Sequence, residues 1–175
     1  MNQKHQVGGS GKGIVKIKPS QRNPESYGLP SVKDYSTQPL DKAPKALAGT
    51  NSLEDSMKTA DELLLRGREW RLVNTPHDPV LIHRRWLRHV FMKQSHRREK
   101  FINWIMPTLT TPDEIWLTEY EDGFRRHFIK FFKGEKNMLL IARENRDNSL
   151  FWNAIPTSKT KYIDGRRRGR LLYKK

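Results

Sequence analysis

The sequence predicts an α+β fold in which N-terminal helices pack on a four- to five-stranded antiparallel sheet, preceded by a largely irregular arm. Three observations predict it. Large apolar residues are scarce up to about residue 58, and all five tryptophans, at 70, 86, 104, 116 and 152, come later. Helical periodicity dominates from Thr59 to Met106. From Asp113 onward the period changes to two, with short turns between consecutive runs, as in an antiparallel meander.

The arm, residues 1–58, holds five of the ten prolines and the run Gly8-Gly9-Ser10-Gly11. A segment so poor in large apolar groups cannot offset its ordering entropy by burial, so it reads as a basic linker. Ile14-Val15-Lys16-Ile17 is a short strand if something pairs with it. Gly9-Ser10-Gly11-Lys12 is not a phosphate loop, because position 6 is Gln and Gly13 follows the lysine.

The ordered domain is expected over 59–175. Thr59 and Glu62 fit a capping box ahead of a helix from Ala60 to Leu72. After the break Asn74–Pro79, a helix from Val80 to Lys93 places Val80, His83, Trp86, Leu87, Val90 and Phe91 on one face, with His89 at its edge. A third helix runs from Arg97 to Met106 and stops at Pro107. The central hairpin joins Ile115–Tyr120 to Phe124–Phe132 through Glu121-Asp122-Gly123, since Asp-Gly supplies the positive φ of a tight turn. Asn137–Arg143 and Ser149–Ile155 follow, and Leu171-Leu172-Tyr173 is a fifth, edge strand.

Composition narrows function. A net charge of +15 and a pI near 10.2 point to a polyanionic partner, nucleic acid first and anionic membrane second. The absence of cysteine excludes disulfides, thiolate nucleophiles and thiolate metal sites. No apolar run approaches the roughly 18 residues of a membrane span, and the N-terminus lacks the apolar region of a secretory signal. The histidines at 77, 83, 89, 96 and 127 have no metal-binding spacing, so neither metal nor cofactor is expected. The carboxylates around 113–122 fit turn and rim positions, and there is no Gly-x-Ser-x-Gly elbow.

What remains suits RNA. The 2′-hydroxyl of RNA can attack the adjacent phosphate without a metal, given a base, an acid and cations for the developing charge. The candidates are His89, Arg126, Lys130, Thr157, Ser158, Tyr162 and Arg168. Alternation along the second hairpin strand puts Arg126 and Lys130 on one face with Phe124, Phe128 and Phe132, roughly 13 Å apart at ~3.3 Å per residue. They are either phosphate-binding groups or simple surface cations. His83 reads as a core histidine and His127 as structural, while Thr157 and Ser158 also fit an ordinary turn. The run Arg166-Arg167-Arg168-Gly169-Arg170 reads first as a solvated phosphate-binding tail.

From Leu81 to Tyr173 the chain resembles the phage-associated barnase/EndoU/colicin/RelE-like (BECR-fold) nucleases, which also occur in polymorphic bacterial toxins. The resemblance rests on Arg88-His89-Val90, Arg97-Arg98-Glu99-Lys100-Phe101, Pro107-Thr108-Leu109, Pro112-Asp113-Glu114-Ile115-Trp116, Arg126-His127-Phe128-Ile129-Lys130, Phe151–Pro156 and Arg168–Tyr173, in that order. It implies helices before a curved antiparallel sheet and metal-independent RNA cleavage on the sheet face. It favours His89 over His83 and places Arg126 and Lys130 in the site. The family strand usually reads Arg-Tyr-Ile-Lys, so the hydroxyl is missing here at Phe128.

The expectation is a ribonuclease toxin domain that cuts RNA, tRNA included, and leaves a 2′,3′-cyclic phosphate. His89 is the acid or base, Arg126 and Lys130 stabilise the phosphorane, and Thr157 or Ser158 with Tyr162 position the phosphate. Arg97, Arg98, Arg166, Arg167, Arg168 and Arg170 hold the RNA backbone. An acidic immunity or antitoxin partner is expected to cover the basic face. Action is expected in the cytoplasm of a target bacterium after delivery. The alternative is a non-catalytic RNA- or DNA-binding protein, such as a ribonucleoprotein or phage structural component.

Overall fold

The computed structural model describes residues 14–35, 39–92, 97–134 and 136–175. The Gly9–Lys12 segment, Lys93 and His96 lie outside them. The described residues form a mixed α+β structure with five α-helices and a curled, mostly antiparallel sheet of seven strands. The helices are α1 (Val32–Tyr35), α2 (Leu53–Ala60), α3 (Arg84–Phe91), α4 (Ile105–Thr110) and α5 (Thr160–Arg166). The sheet contains β2 (Trp70–Val73), β3 (Val80–His83), β4 (Glu114–Tyr120), β5 (Gly123–Lys130), β7 (Asn137–Glu144), β8 (Ser149–Thr157) and β9 (Arg170–Lys174). Its order is β2-β3-β8-β7-β5-β4-β9, and only β3–β8 is parallel. Two short strands, β1 (Asp41–Lys42) and β6 (Phe132–Lys133), pair apart from it.

The sheet therefore exceeds the expected four to five strands, and the extra ones come from segments with helical patterns. The first expected helix begins early, at Leu53 behind the Ser52 cap, and a π-helical turn carries it from Asp61 to Leu65. Arg66 and Gly67 then take left-handed backbone, which ends any helix, and Trp70–Val73 is strand. Val80–His83 is also strand, and the helix starts at Arg84 with the His83 side chain as its cap. Pro107 does not stop the third helix. It lies in the first turn of α4, where its missing N–H has no intrahelical partner to lose, after a 3-10 segment, Arg98–Trp104, broken at Phe101.

The central hairpin forms with Glu121 and Asp122 as its loop and Gly123 at φ 129°. Alternation then divides the sheet into two faces. One buries Ile115, Phe128, Leu140, Ala142, Phe151 and Ala154 against Ala60, Leu87, Phe91, Ile105 and Leu109 of α2, α3 and α4. The other buries Trp116, Ile129, Leu139 and Ile141.

That second face is covered by the arm and by α5. Leu29, Val32 and Tyr35 join Ile163 over it, and Tyr27 meets Trp116 edge-on at 5.4 Å between ring centres. The described part of the arm is short of regular structure but is packed. Ile17 bridges Tyr120, and Gln21 both donates to and accepts from the Glu119 backbone. Beneath it, Arg167 forms a two-pronged pair with Glu114, at 2.6 and 2.8 Å, and both side chains are fully buried. Tyr35 and Trp116 donate to the same carboxylate, and Arg167 also donates to Asp164 and to the carbonyl of Pro30. Two residues on, Gly169 has φ 94° and approaches the Leu117 carbonyl so closely that a Cβ would collide with it.

Candidate active site

Two of the expected cations lie on the helix-covered face, away from solvent. Arg126 is only 3% exposed. Its guanidinium donates to Glu144, Ser149 and the carbonyls of His77, Asp78 and Pro79. Lys130 is 1% exposed and donates to Asp41 and the Thr111 carbonyl. A phosphate would have to break these bonds to reach either. Alternation correctly puts both side chains on one face, but that face is the core side, and carboxylates distant in sequence neutralise them. Arg167, expected on the RNA backbone, is likewise enclosed with Glu114. Burial opposes its charge, yet Glu114 and Asp164 outweigh that and raise its pKa.

The other expected residues divide by position. Arg98, Thr157 and Tyr162 line one cavity of about 260 Å3, together with Lys159, Ile155 and Pro156. Ser158 opens instead into a different cavity, beside Tyr35 and Asn137. Arg97 is exposed and donates to the buried Glu99. Arg168 lines a cavity with Gln21 of the arm, its carbonyl accepting from Thr118, and Arg170 is exposed on β9.

Arg98 and Arg166 both lie near Tyr162. The Arg166 guanidinium lies 4.9 Å from the centre of the Tyr162 ring. Arg98 donates to Asn153 Oδ1 at 2.5 Å, and burial lowers its pKa, with the nearby Tyr162 opposing that. Among the described residues neither arginine pairs with a carboxylate. Both are half-buried.

A bulge in β8 extends this surface. The register shifts between Ile141 and Ala142, leaving Trp152 as the extra residue beside Asn153. Trp152 lies under the Arg143 guanidinium at 5.3 Å and against Trp86 of α3 at 4.6 Å. His89, exposed on α3, has its ring 6.0 Å from Trp152. His89 thus borders the surface that carries Asn153 and Arg98, and not the enclosed Arg126 and Lys130. Arg125 pairs across the sheet with Arg143, and both donate to Asp122.

His127 is the residue that sequence reasoning set aside. It sits on the second face, fully buried, with Tyr120 at 3.0 Å and the Arg166 carbonyl at 2.7 Å. Burial pushes its pKa down to about 4, so the ring is neutral at pH 7. The signal available was its alternation with Arg125, which put both on the face opposite Arg126. Nothing local said which face the helices would cover.

Among the described residues no three His, Cys, Asp or Glu side chains gather into a metal-holding group, and no helix is long and apolar enough to cross a membrane. Arg98, Lys159, Thr157 and Tyr162 line one cavity, with Arg166 over the Tyr162 ring, and this rim of cations and hydroxyls suits a phosphate diester. No curated protein and no solved structure matches the chain. The family model for phage-Barnase-EndoU-ColicinE5/D-RelE like nuclease2 matches residues 62–174, more than half of the chain. The chain belongs to this nuclease family, and its substrate is nucleic acid.

Proposed function

We propose that the chain is a metal-independent endoribonuclease whose target phosphodiester lies between Arg98 and Arg166 at Tyr162. The observation that carries this reading is a pair of half-buried arginines at one tyrosine, neither paired with a carboxylate among the described residues. A guanidinium in that state is stabilised by an incoming anion, and its planar fork suits two phosphate oxygens. In the reaction the RNA 2′-hydroxyl gives up its proton and attacks phosphorus. The bond to the 5′-oxygen breaks, and that oxygen takes a proton, leaving a 2′,3′-cyclic phosphate and a 5′-hydroxyl. His89, exposed at the border of the surface, is the proton-transfer group. Arg98 and Arg166 take up charge on the phosphorane, while Thr157, Lys159 and Tyr162 fix the phosphate. In this reading Arg126 and Lys130 are struts of the sheet.

The same reading makes the chain a toxin domain acting in the cytoplasm of a target bacterium, on tRNA or other RNA. An acidic immunity protein would restrain it by covering this rim. Incubation with total RNA and with tRNA in excess EDTA tests the chemistry. Fragments ending in cyclic phosphate, lost in His89→Ala and Arg98→Ala, are the expected result. Intact RNA with tight, salt-sensitive binding would overturn cleavage in favour of a non-catalytic nucleic-acid-binding protein. Toxicity on expression that Arg98→Ala relieves would support the toxin role.

A further inference from the structure

Four groups form a closed hydrogen-bonded circuit that begins and ends on one residue of the proposed site. His127 Nδ1 faces two oxygens, the Arg166 carbonyl at 2.7 Å and Thr118 Oγ1 at 3.3 Å. The Thr118 hydroxyl donates its hydrogen to the Arg168 carbonyl at 2.7 Å. Neither oxygen offers His127 a hydrogen, so Nδ1 carries it, and Nε2 keeps the lone pair. The Tyr120 hydroxyl, 3.0 Å from Nε2, therefore donates to it. That leaves the phenol oxygen free to accept from Arg166 Nη1, also at 3.0 Å. The circuit runs from the Arg166 guanidinium to Tyr120, to His127, and back to the Arg166 backbone carbonyl. Tyr120 is 2% exposed and His127 is fully buried, so water does not compete within it. Arg125, 4.0 Å from the centre of the Tyr120 ring, packs the phenol from the other side.

We propose that Tyr120 and His127 are a positioning pair that holds Arg166, by backbone and side chain together, in the orientation that receives the phosphodiester. The inference rests on the proposed nuclease site. An arginine on a surface helix is otherwise a mobile cation. Here one donor is fixed, and among the described residues no hydrogen bond takes the remaining donors of the planar fork beside Tyr162. The lowered pKa of His127 agrees with this, since the circuit needs the neutral ring with Nε2 unprotonated. The ligand is the phosphate of a single nucleotide linkage.

A double-mutant cycle tests it, with Tyr120→Phe, Arg166→Ala and both together. The readouts are RNA cleavage and anisotropy of an oligonucleotide carrying a 2′-deoxy sugar at the cut site. Arg166→Ala is expected to reduce kcat by roughly a hundredfold. Tyr120→Phe is expected to reduce it about tenfold alone and not at all in the Arg166→Ala background. Arg166→Lys, on a partly exposed residue, is the second variant. It keeps the charge but cannot occupy Tyr120 and the phosphate in a fork, so it is expected to behave like Arg166→Ala. Additive losses in the cycle, or Arg166→Lys with wild-type activity, would overturn the positioning pair while leaving the nuclease reading intact. A wild-type protein that neither cleaves RNA nor binds the deoxy oligonucleotide would remove both.

Discussion

Arg166 and Arg167 are neighbours in the chain and have opposite surroundings. Arg167 is fully enclosed, with Glu114 taking two of its donors, Asp164 another, and the arm lying over it. Arg166 is half-buried, touches an aromatic ring and a phenol, and has no carboxylate partner among the described residues. The same contrast separates Arg126 and Lys130, each buried against an acid, from Arg98, which among the described residues donates to an amide oxygen and pairs with no acid. A buried cation with its acid in place is part of the fold, because desolvation is balanced inside the protein. In the proposed reading, a half-buried cation without one is open to an anion from outside. In the proposed reading this distinction, more than the number of cations, separates the structural arginines from those that meet the phosphate.

The largest test of the contrast is Arg167→Ala. It strands the buried Glu114 carboxylate, and we expect a loss of roughly 3–5 kcal/mol in chemical denaturation. A loss below about 1 kcal/mol, typical of an exposed pair, would collapse the distinction. Next is pH. Burial holds the folded-state pKa of His127 at about 4 against an ordinary value of 6.5, so between those values the unfolded chain binds the extra proton. Stability is then fully present above about pH 6.5 and declines as pH falls toward 4, by on the order of 3 kcal/mol for this group. Arg166 and Arg125 face the ring and oppose its protonation, and Tyr120 and Thr118 complete its surroundings. Denaturation midpoints followed across that range should show the slope, and His127→Gln should flatten it.

Arg98→Ala sharpens the comparison from the other side. Asn153 Oδ1 still accepts from the Ala154 N–H, so stability should move by less than about 1 kcal/mol. RNA cleavage should fall by about a hundredfold. Equal losses in both would place Arg98 with the structural cations. The smallest effect is expected at Lys18→Ala, which removes a half-exposed pair with Glu119 at the arm's edge. A change of at most about 1 kcal/mol in unfolding free energy, with cleavage retained, is the expected outcome.

The hairpin was legible because its causes are local: alternation over Ile115–Tyr120 and Phe124–Lys130, and a glycine at the turn. The two following strands and the last edge strand are set by the same kind of signal. Strands β2 and β3 were not legible, since four-residue segments beside helix formers carry little periodicity. What makes β3 a strand is its place between β2, which it pairs over four residues, and the parallel β8, about 70 residues away in the chain. The arm was read as a linker because its apolar residues are scattered. Leu29, Val32 and Tyr35 nonetheless converge on one sheet face once the chain wraps around it.

For the site, residue chemistry nominated His89, Arg126, Lys130, Thr157, Ser158, Tyr162 and Arg168, with Arg98 and Arg166 expected only on the RNA backbone, and the family resemblance favoured His89 over His83. The sequence by itself determined the nuclease class, the strand alternation, and the excess of cations beyond what its own carboxylates can neutralise. Only the tertiary structure decided which cations are spent. Arg126, Lys130 and Arg167 differ from Arg98 and Arg166 in no local pattern. They differ in whether Glu144, Asp41 or Glu114 arrives from elsewhere in the chain to meet them, because long-range pairing and burial, and not side-chain identity, fix the electrostatic state of each charge.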